Sequence, residues 1–290
     1  MNKAREQNED FNLVLVRYAL ERLLYRIALS PHRDRFVLKG AMLFQIWSGQ
    51  MHRPTRDLDL LGHGTPSPLE FEQLFRDLSV ENDGMKFQAE TVQAEQMKED
   101  EEYQGIRLKL QANLGSARIS IQVDIGFGDA VTPAPNEITY PTILDFPAPT
   151  LKAYPRETVV AEKYQAMVML GIANSRMKDF FDLWILARQF DFSGPVLCSA
   201  IRATFDRRQT PLPLDSPLAF TTEFTRDRQK QTQWQAFIRK SKLDADGLDL
   251  SAIADSLQRF LMPPTLALVQ DADFEMDWPA CGPWRSKTRQ

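Results

Sequence analysis

Two aspartates, Asp57 and Asp59, stand two residues apart in the run Asp57-Leu58-Asp59-Leu60-Leu61-Gly62. Period-two alternation puts Leu58 and Leu60 on one face of a strand and both carboxylates on the other. Carboxylates so placed can share one hard divalent cation, Mg²⁺ or alternatively Mn²⁺. One chemistry that needs such a pair is transfer of a nucleotidyl group from an NTP. There the metal neutralises triphosphate charge and polarises the attacked phosphorus. A third carboxylate on a neighbouring strand would complete a two-metal site and accept the proton of the attacking hydroxyl. Asp124, the only acidic residue on the polar face of its strand, is the candidate for that place.

Phosphates also need a cradle. Arg35-Phe36-Val37-Leu38-Lys39-Gly40 reads as a short apolar strand running into a glycine, and helical spacing resumes from Ala41 to Trp47. At such a junction Gly40 lets backbone amides approach an anion, and the helix N-terminus adds a favourable dipole. Lys39 stands beside it. A Lys-Gly step or a lone D-x-D is common on ordinary surfaces. It is the ordered set, each feature flanked by apolar strand residues, that carries the signal.

The elements that must position these groups follow from the apolar spacing. Phe11, Leu15, Tyr18, Leu23 and Ile27 mark an amphipathic helix over 11–29. A further helix is expected around Leu69 to Leu78, burying Phe71 and Phe75. Ile106, Leu108 and Leu110 alternate with Arg107, Lys109 and Gln111; Ile119, Ile121, Val123 and Ile125 alternate with Ser120, Gln122 and Asp124. The stretch Ala112-Asn113-Leu114-Gly115-Ser116 between them suits a hairpin. Val131 to Pro155 carries six prolines and is expected to be an extended connector rather than another regular layer. Helices return over Glu157 to Leu170 and Met177 to Phe190, then more weakly to about Leu261. The tail after Pro263-Pro264 is expected to be poorly ordered. This gives an α+β (α/β) fold: a mixed sheet flanked by helices over 1–150, then a helical C-terminal lobe over 151–290, with the site in the cleft between them.

Composition narrows the class. With 43% hydrophobic and 26% charged residues the chain of 290 supports an ordinary globular core. No run is long and apolar enough for a transmembrane helix, and the N-terminus lacks the apolar stretch of a secretory signal. Two cysteines, Cys198 and Cys281, make neither a metal cluster nor a disulfide framework, so a reducing cytoplasm is the expected compartment. A net charge of −4 does not advertise nucleic-acid binding, although Arg202 to Lys242 gathers nine basic residues. For each of these the plainer reading is a solvated helical surface. Without other information Lys163 would be a snorkelling surface lysine, Asp179 and Asp182 members of surface pairs, and Phe180, Phe181 and Trp184 core.

Five segments together resemble the AbiEii/AbiGii-type nucleotidyltransferase toxins of the DNA polymerase β-like superfamily. They are Phe36-Val37-Leu38-Lys39-Gly40-Ala41, His52-Arg53-Pro54-Thr55-Arg56-Asp57-Leu58-Asp59, Val123-Asp124-Ile125, Glu157-Thr158-Val159-Val160-Ala161-Glu162-Lys163 and Arg176-Met177-Lys178-Asp179-Phe180-Phe181-Asp182-Leu183. The resemblance covers roughly residues 10–190. It implies that Asp57 and Asp59 hold Mg²⁺ and that Lys39, Gly40 and Ala41 line the triphosphate. It further implies that Lys163 contacts nucleotide phosphates and that Asp179 is required for activity, with Asp182 one helical turn on. Thr55 keeps a hydroxyl that a kinase antitoxin phosphorylates in some relatives. Arg53 and Arg56 flank the aspartates, where a local salt bridge and a phosphate contact fit equally well. Many relatives have Gly-Gly or Gly-Ser where this chain has Gly40-Ala41, so a modified cradle is expected. The implied acceptor is the 3′ end of tRNA, the outcome growth arrest in toxin–antitoxin or phage defence, and a cognate antitoxin the partner. A small-molecule or protein acceptor, or a catalytically lapsed binding module, are the competing readings.

Overall fold

The first long helix, α1 (Phe11–Leu29), starts where Asp10 accepts hydrogen bonds from the amides of Asn12 and Leu13 at 2.9 and 3.3 Å. It buries Tyr18, Leu20, Leu23, Leu24 and Ile27 but leaves Phe11 43% exposed, so the apolar stripe begins one turn later than its spacing suggests. The computed structural model describes residues 4–5, 9–78, 83–100, 103–243 and 249–286. They divide into two compact units, Met1–Asp129 with Pro135–Tyr154, and Ala130–Ala134 with Pro155–Gln290.

The first unit is built on a seven-stranded mixed sheet. Its strands are β1 (Phe36–Lys39), β2 (Asp57–Gly62), β3 (Met85–Asp100), β4 (Tyr103–Leu114), β5 (Ala117–Phe127), β6 (Asn136–Thr139) and β7 (Thr150–Ala153). They lie in the order β3-β4-β5-β2-β1-β7-β6. The β2/β5 and β1/β7 pairs are parallel and the rest antiparallel. The proline-rich stretch is therefore not a plain connector. Its prolines sit outside two short strands, and β7 pairs directly with the central β1. The turn between β4 and β5 is tighter than expected, closing at Gly115 with φ +58°. Leu58, Leu60, Val123, Ile125, Ile106 and Leu108 are fully buried on one face, as their alternation requires. Helix α3 (Pro68–Arg76), opened by Ser67 and Pro68, follows the short α2 (Leu43–Ser48). Its Phe71 and Phe75 meet Phe36 edge-on at 6.0 and 6.1 Å.

A buried cluster of charged side chains lies inside this unit. Arg26 forms a two-pronged pair with Asp83 at 2.9 and 3.0 Å, and Arg22 lies 3.0 Å from Glu21. All four side chains are buried. Burial raises the Glu21 pKa, and burial followed by the Asp83 charge pushes Tyr18 up to about 12.

The second unit carries α4 (Arg156–Leu170), α5 (Met177–Gln189), α6 (Gly194–Arg207), α7 (Thr222–Thr225), α8 (Arg228–Ser241) and α9 (Leu250–Val269). A small sheet of β8 (Phe192–Ser193), β9 (Met276–Trp278) and β10 (Arg285–Ser286) completes it. Tyr164 packs on Phe205 and Phe220, and Phe180 stacks on Phe224. The segment after Pro263-Pro264 completes α9 and then supplies β9 and β10. Pro263 and Pro264 sit inside α9. Pro264 has no N–H to give to the carbonyl one turn back, that of Phe260. The indole Nε1 of Trp284 donates to that oxygen instead, at 2.9 Å. Trp284 also stacks on Phe260 and meets Trp278 and Phe274, so the proline that breaks the ladder creates the docking point for the tail.

Candidate active site

The site residues of the first unit are brought together by strand register. Lys39 pairs with Asp59, Asp59 with Asp124, Asp124 with Arg107 and Arg107 with Glu95, so one charged row crosses β1, β2, β5, β4 and β3. Asp57 and Asp59 are half-buried on β2, separated by the fully buried Leu58. The turn after β1 passes against them. Gly40 has φ +78°, and a Cβ there would lie 2.0 Å from Oδ2 of Asp59. Only glycine lets the backbone adopt this conformation and come this close to the carboxylate. The helix that follows is short, and its first internal bonds come from the amides of Leu43 and Phe44 to Gly40 and Ala41. The amides of Ala41 and Met42 therefore precede the helical ladder.

The other predicted residues of this unit are engaged as follows. Lys39 is paired within the unit. Its ammonium donates to the nearly buried Asp129 at 2.8 Å and sits 5.6 Å from the Tyr154 ring centroid. Thr55 Oγ1 lies 3.4 Å from the Asp57 carbonyl oxygen, and Arg56 is exposed. Asp124 is held by a guanidinium fork: Arg107 Nε donates to Oδ1 at 2.8 Å and Nη2 to Oδ2 at 2.9 Å. Gln122 Nε2 lies 3.3 and 3.1 Å from the same two oxygens. The hydrogen bond to Asp124 raises the Arg107 pKa further, with the charges of Asp124, Asp57 and Glu95 adding to it. Among the described residues no three His, Cys, Asp or Glu side chains stand together as a metal-binding group. The donor set that fits a hard divalent ion is thus the Asp57/Asp59 pair, two carboxylates on one strand face that leave coordination positions for water and phosphate oxygens. Asp124 is beside that pair in register but engaged elsewhere.

The second unit holds a separate ion cluster. Lys163 on α4 donates to Asp179 at 2.5 Å and lies 2.9 Å from Asp182, both on α5. Arg176 reaches the other Asp179 oxygen at 2.6 Å. The two aspartates are buried, and Lys163 keeps only 12% of its side chain exposed. Burial pushes the Asp179 pKa up, but the charges of Lys163 and Arg176 outweigh it and hold the carboxyl below its ordinary value. These residues are an internal network rather than the surface pairs their spacing alone suggests.

Sequence reasoning passed over Arg107 and Asp129 as site residues. Arg107 was visible only as a polar-face residue of its strand, and register supplies its partner. Asp129 lies just past the end of β5, where alternation says nothing. The basic stretch from Arg202 to Lys242 proves heterogeneous. Lys230 is buried and donates to the Asn174 carbonyl at 2.9 Å, Arg208 donates to Gln165, and Arg202 donates to the Leu268 carbonyl.

A mixed sheet in which a strand–glycine–helix turn abuts an Asp-x-Asp pair on the neighbouring antiparallel strand is the architecture of a nucleotidyltransferase. The chain belongs to the family described as "Nucleotidyl transferase AbiEii toxin, Type IV TA system", whose sequence profile matches residues 22–259. No curated protein matches it. Among solved structures it resembles JHP933 from Helicobacter pylori, with 16% identity, a TM-score of 0.52, and 90% of this chain and 95% of that one covered. It also resembles a protein from the same organism described as a nucleotidyltransferase, with 16% identity, a TM-score of 0.51, and 91% and 100% covered. At this identity the likeness concerns the fold. The chain is therefore a nucleotidyltransferase of a toxin–antitoxin family, which implies a cognate antitoxin. Among the described residues no helix is long and apolar enough to cross a membrane.

Proposed function

We infer that the chain transfers an NMP group from an NTP to an acceptor hydroxyl, with Mg²⁺ held by Asp57 and Asp59. The observation that carries this reading is the contact of the Gly40 turn with the Asp59 carboxylate, which sets a phosphate-accommodating backbone beside the metal-binding pair. Bound there, Mg²⁺ supplies charge neutralisation at the triphosphate and polarises the α-phosphorus. The acceptor hydroxyl oxygen forms a bond to that phosphorus and gives up its proton to solvent water, the bond to the bridging oxygen of the β-phosphate breaks, and pyrophosphate leaves. Gly40, Ala41 and Met42 accommodate the phosphates through the main chain. Lys39, paired with Asp129, brings a positive charge to the end of β1 beside Gly40.

The acceptor in this reading is the 3′ end of tRNA, and the outcome is growth arrest serving phage defence, relieved by an antitoxin. Family membership supports it. The test is incubation with total RNA and each α-labelled NTP in Mg²⁺. Label in the tRNA band from at least one NTP is expected. Label confined to small molecules or protein would move the acceptor to those classes, and label nowhere would contradict transfer itself.

A further inference from the structure

The third carboxylate position of the charged row is already neutralised by the protein. Both Asp124 oxygens are bound by the two prongs of the Arg107 guanidinium, at 2.8 and 2.9 Å, and both also face the Gln122 amide. A carboxylate offers about four lone-pair directions, so these donors occupy most of its capacity. Arg107 cannot relinquish its proton in water, and a bidentate fork is the strongest geometry it can offer a carboxylate. The pair is only partly exposed, at 34% for Arg107 and 20% for Asp124, so water screens it incompletely. Register places Asp124 directly across from Asp59, so the positive charge of Arg107 enters the row where a second divalent ion would otherwise be required.

We propose that Arg107 is a built-in substitute for a second metal ion: it neutralises Asp124, and the chain binds a single divalent cation on Asp57 and Asp59. Asp124 then serves to position Arg107 rather than to ligate metal. This rests on the metal-dependent reading above, and it separates the chain from sites in which three carboxylates share two ions. It also specifies what each substitution does. Asp124→Asn removes no ligand. Arg107→Gln frees a carboxylate and removes a repelling charge, which together convert the row into a better cation site.

The experiment is a titration of the nucleotide-free full chain with Mn²⁺, followed by electron paramagnetic resonance, which counts bound ions without any turnover. Wild type is expected to bind one ion. Asp124→Asn should keep that one site, weakened severalfold by the unmasked charge of Arg107, whereas Asp59→Asn, which removes a ligand, should weaken it further, about a hundredfold. Arg107→Gln should gain a second ion or tighten the first about tenfold, and Arg107→Lys, which keeps the charge, should behave as wild type. Thermal melts of each variant establish that it is folded. Two ions on wild type, or an Asp124→Asn loss equal to that of Asp59→Asn, would overturn the substitution while leaving metal dependence standing. No ion on wild type would overturn both.

Discussion

The two units hold their carboxylates in opposite ways. On β2 and β5, Asp57, Asp59 and Asp124 sit half-buried on an open strand face, in a row whose cations come from neighbouring strands. On α5, Asp179 and Asp182 are buried and already clasped by Lys163. A half-exposed carboxylate can take up a metal ion at little desolvation cost, and losing its charge hardly disturbs the fold. A buried carboxylate is tolerated only because its counter-charge is permanently present, so losing that counter-charge strands an ion in the interior. The first arrangement suits chemistry that comes and goes. The second suits a fixed support.

The contrast makes graded predictions. The largest effect is expected from Asp59→Asn, which should reduce nucleotidyl transfer about a thousandfold, several kcal/mol of transition-state stabilisation, while the melting temperature stays unchanged. Lys163→Ala should do the reverse in kind, lowering stability by about 3–5 kcal/mol in urea unfolding because two buried carboxylates lose the ammonium they share. If Lys163→Ala melted like wild type, the cluster would be a surface feature and the contrast would collapse. Gly40→Ala should cost about 1–2 kcal/mol for its left-handed backbone alone. Because its Cβ falls on the Asp59 carboxylate, it should also depress transfer more than stability.

How much of this was legible beforehand depended on whether a role is local. The Asp57/Asp59 pair, the Gly40 turn and the β4 and β5 alternation were readable because period two and a glycine punctuate the chain directly. The partners were not. Nothing near Asp124 names Arg107, seventeen residues earlier, and only the antiparallel register joins them. Lys163 and Asp179 looked like surface charges because helical spacing cannot say that the polar side of α4 faces that of α5. The prolines misled twice for one reason: counting them treats each as a breaker. In the chain, Pro141, Pro147 and Pro149 flank strands, and Pro264 sits in α9, where Trp284 takes over the carbonyl it leaves.

Two smaller effects refine the comparison. Because the Asp179 pKa is lowered in the folded chain, its contribution to stability is complete above about pH 4, where an unfolded carboxyl is ionised, and is lost as pH falls through the folded value. Urea unfolding between pH 3 and 6 should show this slope in wild type, diminished in Asp179→Asn. Trp284→Phe keeps the aromatic packing but leaves the Phe260 carbonyl without its donor, and should cost about 1 kcal/mol by the same measurement, with transfer unaffected.

The central claim is that transfer occurs at Asp57 and Asp59. The most direct test compares wild type and Asp59→Asn, both verified as folded by melting, for incorporation of α-labelled NTP into total tRNA in Mg²⁺. The account predicts labelled tRNA with wild type and background label with Asp59→Asn. Equal labelling by the two proteins would contradict it.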